Sequence, residues 1–182
     1  MARKLHIGGT AATPGWEVLN IVPGPHVDHQ GNAKDLSRFP EGTFNEIYAS
    51  HVVEHFDYKD ELLAALREWN RVLKPFGRLY VSVPDLDALA ALFADRERLT
   101  PDDRFHVMRM MFGGHGDAHD YHLVGLNEEF LREYLRQAGF GGIRRVEGFG
   151  MFQDTSGMTF KEVPISLNLV AKKLADIGSD MP

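Results

Sequence analysis

The chain has 182 residues, a net charge of -6, 43% hydrophobic and 25% charged side chains, and no cysteine. Such a composition suits one domain with a buried core, and it excludes disulfides, thiolate metal centres and cysteine nucleophiles. The acidic balance argues against a nucleic-acid partner, and no apolar run nears the roughly 18 residues that cross a bilayer; neither membrane nor signal segment is expected, and the expected location is cytoplasmic.

In chain order, Lys4 to Gly8 and Glu17 to Ile21 read as short strands joined by Gly9-Thr10-Ala11-Ala12-Thr13-Pro14-Gly15, which has turn chemistry and no helical period. A crossover between parallel neighbours takes about a dozen residues, so only a loop or single turn fits there. Phe44 to Ser50 is a strand ending in Ser50-His51, with a helix expected to follow. From Lys59 to Lys74 the residues Leu62, Leu63, Leu66, Trp69, Val72 and Leu73 recur on one helical face until Pro75-Phe76-Gly77. Arg78 to Val83 is a strand, and Asp85 or Asp87 caps a helix to about Phe93.

Thr100-Pro101-Asp102-Asp103 starts another helix, with Met108, Met110 and Met111 as packing residues, and Gly113-Gly114 ends it. Asn127 caps a helix that stops at Gly139. Strands at Ile143 to Phe149 and near Ile165 to Ala171 follow with no helix between them, the pattern of an antiparallel edge pair. Alternating strands and helices predict an α/β, Rossmann-like, doubly wound sheet, mostly parallel, whose first crossover helix is shortened or absent. One domain over 1–174 and a flexible tail over 175–182 are expected.

Three stretches carry a family likeness: Ile47-Tyr48-Ala49-Ser50-His51-Val52-Val53-Glu54-His55, Arg71-Val72-Leu73-Lys74-Pro75-Phe76-Gly77, and Ala138-Gly139-Phe140. Together, in this order and spacing, they resemble the class I S-adenosylmethionine-dependent methyltransferases, in particular small bacterial predicted methyltransferases, over about Lys4 to Lys172. The resemblance implies a seven-stranded sheet, S-adenosylmethionine as cofactor and a small-molecule or sugar-derived acceptor.

It also implies a cofactor site. The family's acid followed by G-x-G-x-G aligns with His6, Gly8, Thr10 and Ala12, so Gly8, Gly9 and Thr10 would approach the methionine part. Asn20 stands where the family carries an acid for the ribose hydroxyls, with Asp28 as a substitute if its loop bends back. Asp35-Leu36-Ser37-Arg38-Phe39-Pro40 resembles the adenine segment, giving Asp35 and the Leu36 amide as contacts, and Ser50 ends the central strand at the cofactor.

On the acceptor side, His51, Glu54 and His55 lie at the carboxyl end of that strand, and a helix from Val52 would bring His51 and His55 onto one face. The loop Phe112 to Gly125 holds His115, His119, His122, Asp117 and Asp120; Asp120-x-His122-x-x-Gly125 looks like the family's closing signature. His51, His55 and His122 are thus the catalytic candidates. Two alternatives stand beside the enzyme: a methyltransferase fold serving only as a binding or assembly module, motivated by the altered glycine motif and Asn20, and a metal-dependent enzyme using the His115 to His122 loop. No metal ligand is assigned from the sequence, because the run has no established ligand spacing.

Overall fold

In the computed structural model, which describes residues 2–175, the strands are β1 (Lys4–Ile7), β2 (Glu17–Asn20), β3 (His29–Gln30), β4 (Phe44–Ser50), β5 (Leu73–Pro84), β6 (Phe140–Val146), β7 (Thr159–Phe160), β8 (Val163–Pro164) and β9 (Ser166–Lys173). The α-helices are α1 (Glu61–Val72), α2 (Leu86–Ala94), α3 (Pro101–Phe112) and α4 (Glu128–Gln137). Seven strands form one sheet in the order β3-β2-β1-β4-β5-β9-β6, and β7-β8 is a separate hairpin. The first five are parallel; β9 runs antiparallel to both β5 and β6. The expected antiparallel edge is therefore present, with the last strand inserted beside β5.

Helix positions follow the local signals. Thr100 and Asp103 form a capping box with Pro101 at the first helical turn, and Asn127 Oδ1 accepts from Phe130 N at 3.0 Å. Helix α1 buries Leu62, Ala65, Leu66, Trp69 and Val72 against the sheet face made by Leu5, Ile7, Ile47, Ala49, Leu79, Val81, Leu167 and Leu169, and α4 adds Leu131 and Leu135 to the same core. Met110 and Met111 pack on a smaller core of Leu89, Leu92, Leu99, Val107 and Ile165.

The crossover between β1 and β2 contains no helix. Residues 8–16 must return the chain to an adjacent parallel strand, and that length leaves no room for one. The sheet face above β1 and β4 therefore needs another cover. Residues 147–157 supply it: Phe152 packs on His6 at 4.1 Å between ring centroids, on Tyr48 at 4.5 Å and on Trp16 at 5.2 Å, while Phe149 meets Tyr48 and Tyr80 at 5.3 and 5.7 Å. Tyr48 hydroxyl donates to Asp154, and Asn168 Nδ2 to the Ser156 carbonyl at 2.8 Å, which anchors the segment. An aromatic loop takes the place of the missing helix.

Three local readings differ from this structure. The helix expected from Val52 is a single 3-10 turn, Val53–His55, because Asp57 and the turn after it interpose before α1. The strand expected at Ile143 to Phe149 lies earlier, at β6, since Phe149 faces the second side of the sheet from a loop. Strand β3 falls in the expected loop around Asp28; two residues cannot display an alternation. The expected tail, 175–182, lies outside the described residues except for Ala175. No helix among the described residues is long and apolar enough to cross a membrane.

Candidate functional site

A cavity of about 530 Å³ opens at the carboxyl ends of β1, β2 and β4, lined among others by Ile7, Gly8, Leu19, Asn20, His51 and His55. Open α/β sheets bind ligands on this rim, and the volume falls in the range of small-molecule sites.

The strand-end wall begins at Gly8. Its φ of +78° is a conformation that favours glycine, and a Cβ there would lie 2.9 Å from Val52 Cγ2. Asn20 lines the cavity as expected, yet its side chain is engaged within the protein: Nδ2 donates to the Gly9 carbonyl at 3.0 Å, and Oδ1 accepts from Val22 N at 2.9 Å. Those partners fix the amide orientation, because a carbonyl can only accept and a backbone N–H only donate.

The remaining cofactor candidates fall elsewhere. His6 points to the opposite face, under Phe152, where burial lowers its pKa to about 4. Gly9 contributes through its carbonyl, and Thr10 is exposed in the turn. Asp28 does not line the cavity; its Oδ2 accepts from Val18 N at 2.8 Å at the sheet edge. Asp35 is exposed, with Oδ1 accepting from Ser37 N at 3.0 Å, and the Ser37 side chain first, then this backbone bond, hold its carboxyl below the usual range. Leu36 is fully buried in the main core. Ser50 is outside the cavity lining, and its Oγ is buried without a hydrogen-bond partner.

The segment that does reach the cavity after β3 is Gly31, Asn32, Ala33 and Lys34, upstream of the stretch singled out in the sequence. Helix α1 holds it there. Trp69 Nε1 donates to the Ala33 carbonyl at 2.8 Å, and the Arg71 guanidinium donates to the Leu36 and Phe39 carbonyls at 3.1 and 3.0 Å. Finding this from sequence required locating β3, whose two residues give no periodic signal.

The opposite wall is made by His51, Val52, His55 and Phe56 with Ala118, His119, Tyr121 and Leu123. His51 adopts φ +55° at the end of β4, an uncommon backbone state for a non-glycine residue. Its Nδ1 lies 3.3 Å from Glu54 Oε1 and its Nε2 3.0 Å from Ser166 Oγ. His55 Nδ1 donates to the Tyr121 carbonyl at 2.9 Å, and His122 Nδ1 to the Met111 carbonyl at 3.3 Å. The two rings pack edge to face, centroids 5.0 Å apart.

The Phe112 to Gly125 loop thus covers the cavity, but its histidines do not converge. His115 stacks on Tyr121 at 4.0 Å, and Asp120 accepts from Gly116 N at 2.9 Å. His119 lines the cavity, while His122 packs beside His55 outside the lining; burial pushes the His122 pKa down. The loop is tied to the 3-10 turn through Leu123 N, which donates to the Glu54 carbonyl at 2.7 Å.

Comparison with known proteins agrees with this anatomy. A family model described as a methyltransferase domain matches residues 18–81. A probable methyltransferase, ltbC of Aspergillus luteorubrus, is 29% identical over 118 residues, which is 65% of this chain and 39% of that protein. The chain therefore spans well under half the length of that curated relative. An S-adenosylmethionine-dependent methyltransferase of Mesorhizobium loti shares the fold at TM-score 0.59 and 17% identity, covering 93% of this chain and 90% of that one. A Burkholderia thailandensis 1,6-didemethyltoxoflavin-N1-methyltransferase, crystallised with 1,6-didemethyltoxoflavin and S-adenosylhomocysteine, does so at 0.56 and 16%, covering 95% and 71%. The chain therefore has the fold of the class I S-adenosylmethionine-dependent methyltransferases, and its residues 18–81 match a methyltransferase domain.

Proposed function

We propose that this protein transfers the methyl group of S-adenosylmethionine to a small-molecule or sugar-derived acceptor. The observation that carries the reading is one cavity with two unlike walls: Gly8, Asn20 and the Asn32 to Lys34 segment on the strand-end side, and His51 and His55 under the Ala118 to Leu123 loop on the other. The Burkholderia protein's small-molecule acceptor supports the substrate class. Gly8 supports a donor site here: a Cβ would press on Val52, so the bare backbone is what this end of the cavity presents to a cofactor. When bound, S-adenosylmethionine supplies an electrophilic methyl carbon on sulfonium sulfur.

The chain's own work is alignment, water exclusion and handling of the acceptor's proton. Gly8 and Asn20 form the donor side, and the Tyr121 and Leu123 stretch covers the acceptor side. His51, His55 and His122 are the acceptor-side polar groups. His55 is held by the Tyr121 carbonyl, so its Nε2 is the ring nitrogen left to meet an acceptor. A second reading, a binding module without catalysis, is favoured by the occupied side chain of Asn20, which leaves no carboxylate for the ribose.

Calorimetric titration with S-adenosylhomocysteine separates the two. The enzyme reading expects saturable binding and a raised melting temperature. Absence of both heat and thermal stabilisation at about millimolar ligand would remove it.

A further inference from the structure

The geometry points to a divalent transition-metal site formed by Glu54, His55 and His122 at the acceptor end of the cavity. One ligand atom from each of the three residues lies within 4.8 Å of those of the others. Two histidines and one carboxylate suit zinc or ferrous iron, and three protein ligands leave a position open for a further oxygen.

The ring orientations support this assignment independently. Each Nδ1 faces a backbone carbonyl, of Tyr121 for His55 and of Met111 for His122. A carbonyl can only accept, so each Nδ1 carries a proton, and in the neutral imidazole each Nε2 then presents its lone pair. Metal-bound histidines are oriented by this kind of outer hydrogen bond.

The carboxylate supplies the second observation. Glu54 is 1% exposed, and neither of its oxygens has a hydrogen-bond partner. A buried carboxylate left this way is costly unless a positive charge meets it. His51 Nδ1 lies 3.3 Å from Oε1, beyond a good hydrogen bond, and it leaves Oε2 bare. A divalent cation between Glu54 and the two Nε2 atoms answers the whole of that deficit. Of the three, His55 lines the cavity and Glu54 and His122 lie behind it, so an open position on the His55 side would face the acceptor. A hydroxyl or carbonyl oxygen there would bind the cation, and a hydroxyl would lose its proton more readily. Only this last consequence rests on the methyltransferase reading; the metal site itself does not.

The test uses the full chain, stripped with chelator and titrated with zinc, then with cobalt as a spectroscopic probe. One equivalent should bind and raise the melting temperature, and cobalt should give the visible absorption of a low-coordinate nitrogen and oxygen site. His122→Ala and Glu54→Gln should each weaken binding by more than about a hundredfold, while His106→Ala, which alters an exposed histidine on α3, should not. If Glu54→Gln fails to fold, His122→Ala alone decides. Absence of stoichiometric binding, or equal binding by His122→Ala, overturns the inference. Titrating metal-free protein with S-adenosylhomocysteine keeps the two readings apart. Metal binding without nucleoside binding would retain this site and remove the methyltransferase reading, and the reverse would do the opposite.

Discussion

Asn20 Nδ2 donates to the Gly9 carbonyl at 3.0 Å, tying the end of β2 to the glycine turn after β1. An aspartate could not make that bond. The position that resembles a ribose-binding acid therefore serves, in this chain, to close a crossover too short to carry a helix.

Asn20→Asp consequently tests structure and ligand together. The amide gives sequence reasoning grounds to expect tighter cofactor binding in the acid variant. The Gly9 contact reverses that: a carboxylate would oppose a carbonyl, and apo stability should fall by about 1 to 3 kcal/mol. Chemical denaturation measures the loss, and calorimetry should find nucleoside affinity no higher than in the parent. An unchanged unfolding free energy would mean that the Asn20 to Gly9 bond is not held in solution.

Gly8 and Gly15 make a matched pair. Both have positive φ, +78° and +83°, but a Cβ meets Val52 only at Gly8; at Gly15 it meets nothing within 4 Å. Alanine at either site should cost about 1 to 2 kcal/mol through backbone strain. Gly8→Ala should also weaken S-adenosylhomocysteine binding at least tenfold, and Gly15→Ala should leave it intact. Equal affinities in the two variants would detach Gly8 from the cofactor.

His6 sets an acid limit on stability. Burial holds its pKa near 4 against 6.5 in the unfolded chain, with Asp154 opposing the shift weakly. Between those values the unfolded state binds more protons, so stability rises with pH there and falls on acidification from about 6.5 to about 4. The loss should reach about 3 kcal/mol. Glu17 adds to it lower down: its pKa, held at about 2 first by Arg3 and then by His29, makes its contribution disappear as pH falls from 4.5. His6→Phe removes the titrating group while keeping a ring under Phe152, and its unfolding free energy should fall less than the parent's from pH 6.5 to 5, the remaining slope coming from the buried His122. A slope equal to the parent's would assign the transition to another group.

Much of the architecture was legible because it is local. The α1 face from Leu62 to Val72, the cap at Thr100 and the shortness of residues 8–16 are written in neighbouring residues, whose period and spacing the backbone obeys directly. So was the altered glycine motif, with Thr10 and Ala12 where the resembled family carries glycine.

What the tertiary structure alone decided is which distant groups meet. Asp35 turned outward because Arg71 and Trp69 hold the surrounding carbonyls, and Asn32 to Lys34 reached the cavity in its stead. Phe149 and Phe152 became the cover for β1 and β4, a role that only the missing helix creates. His122, alone among the histidines of its loop, comes within ligand distance of Glu54 and His55. Periodicity and capping act over a few residues along the chain; contacts across a sheet depend on how its layers pack, and no local pattern carries that information.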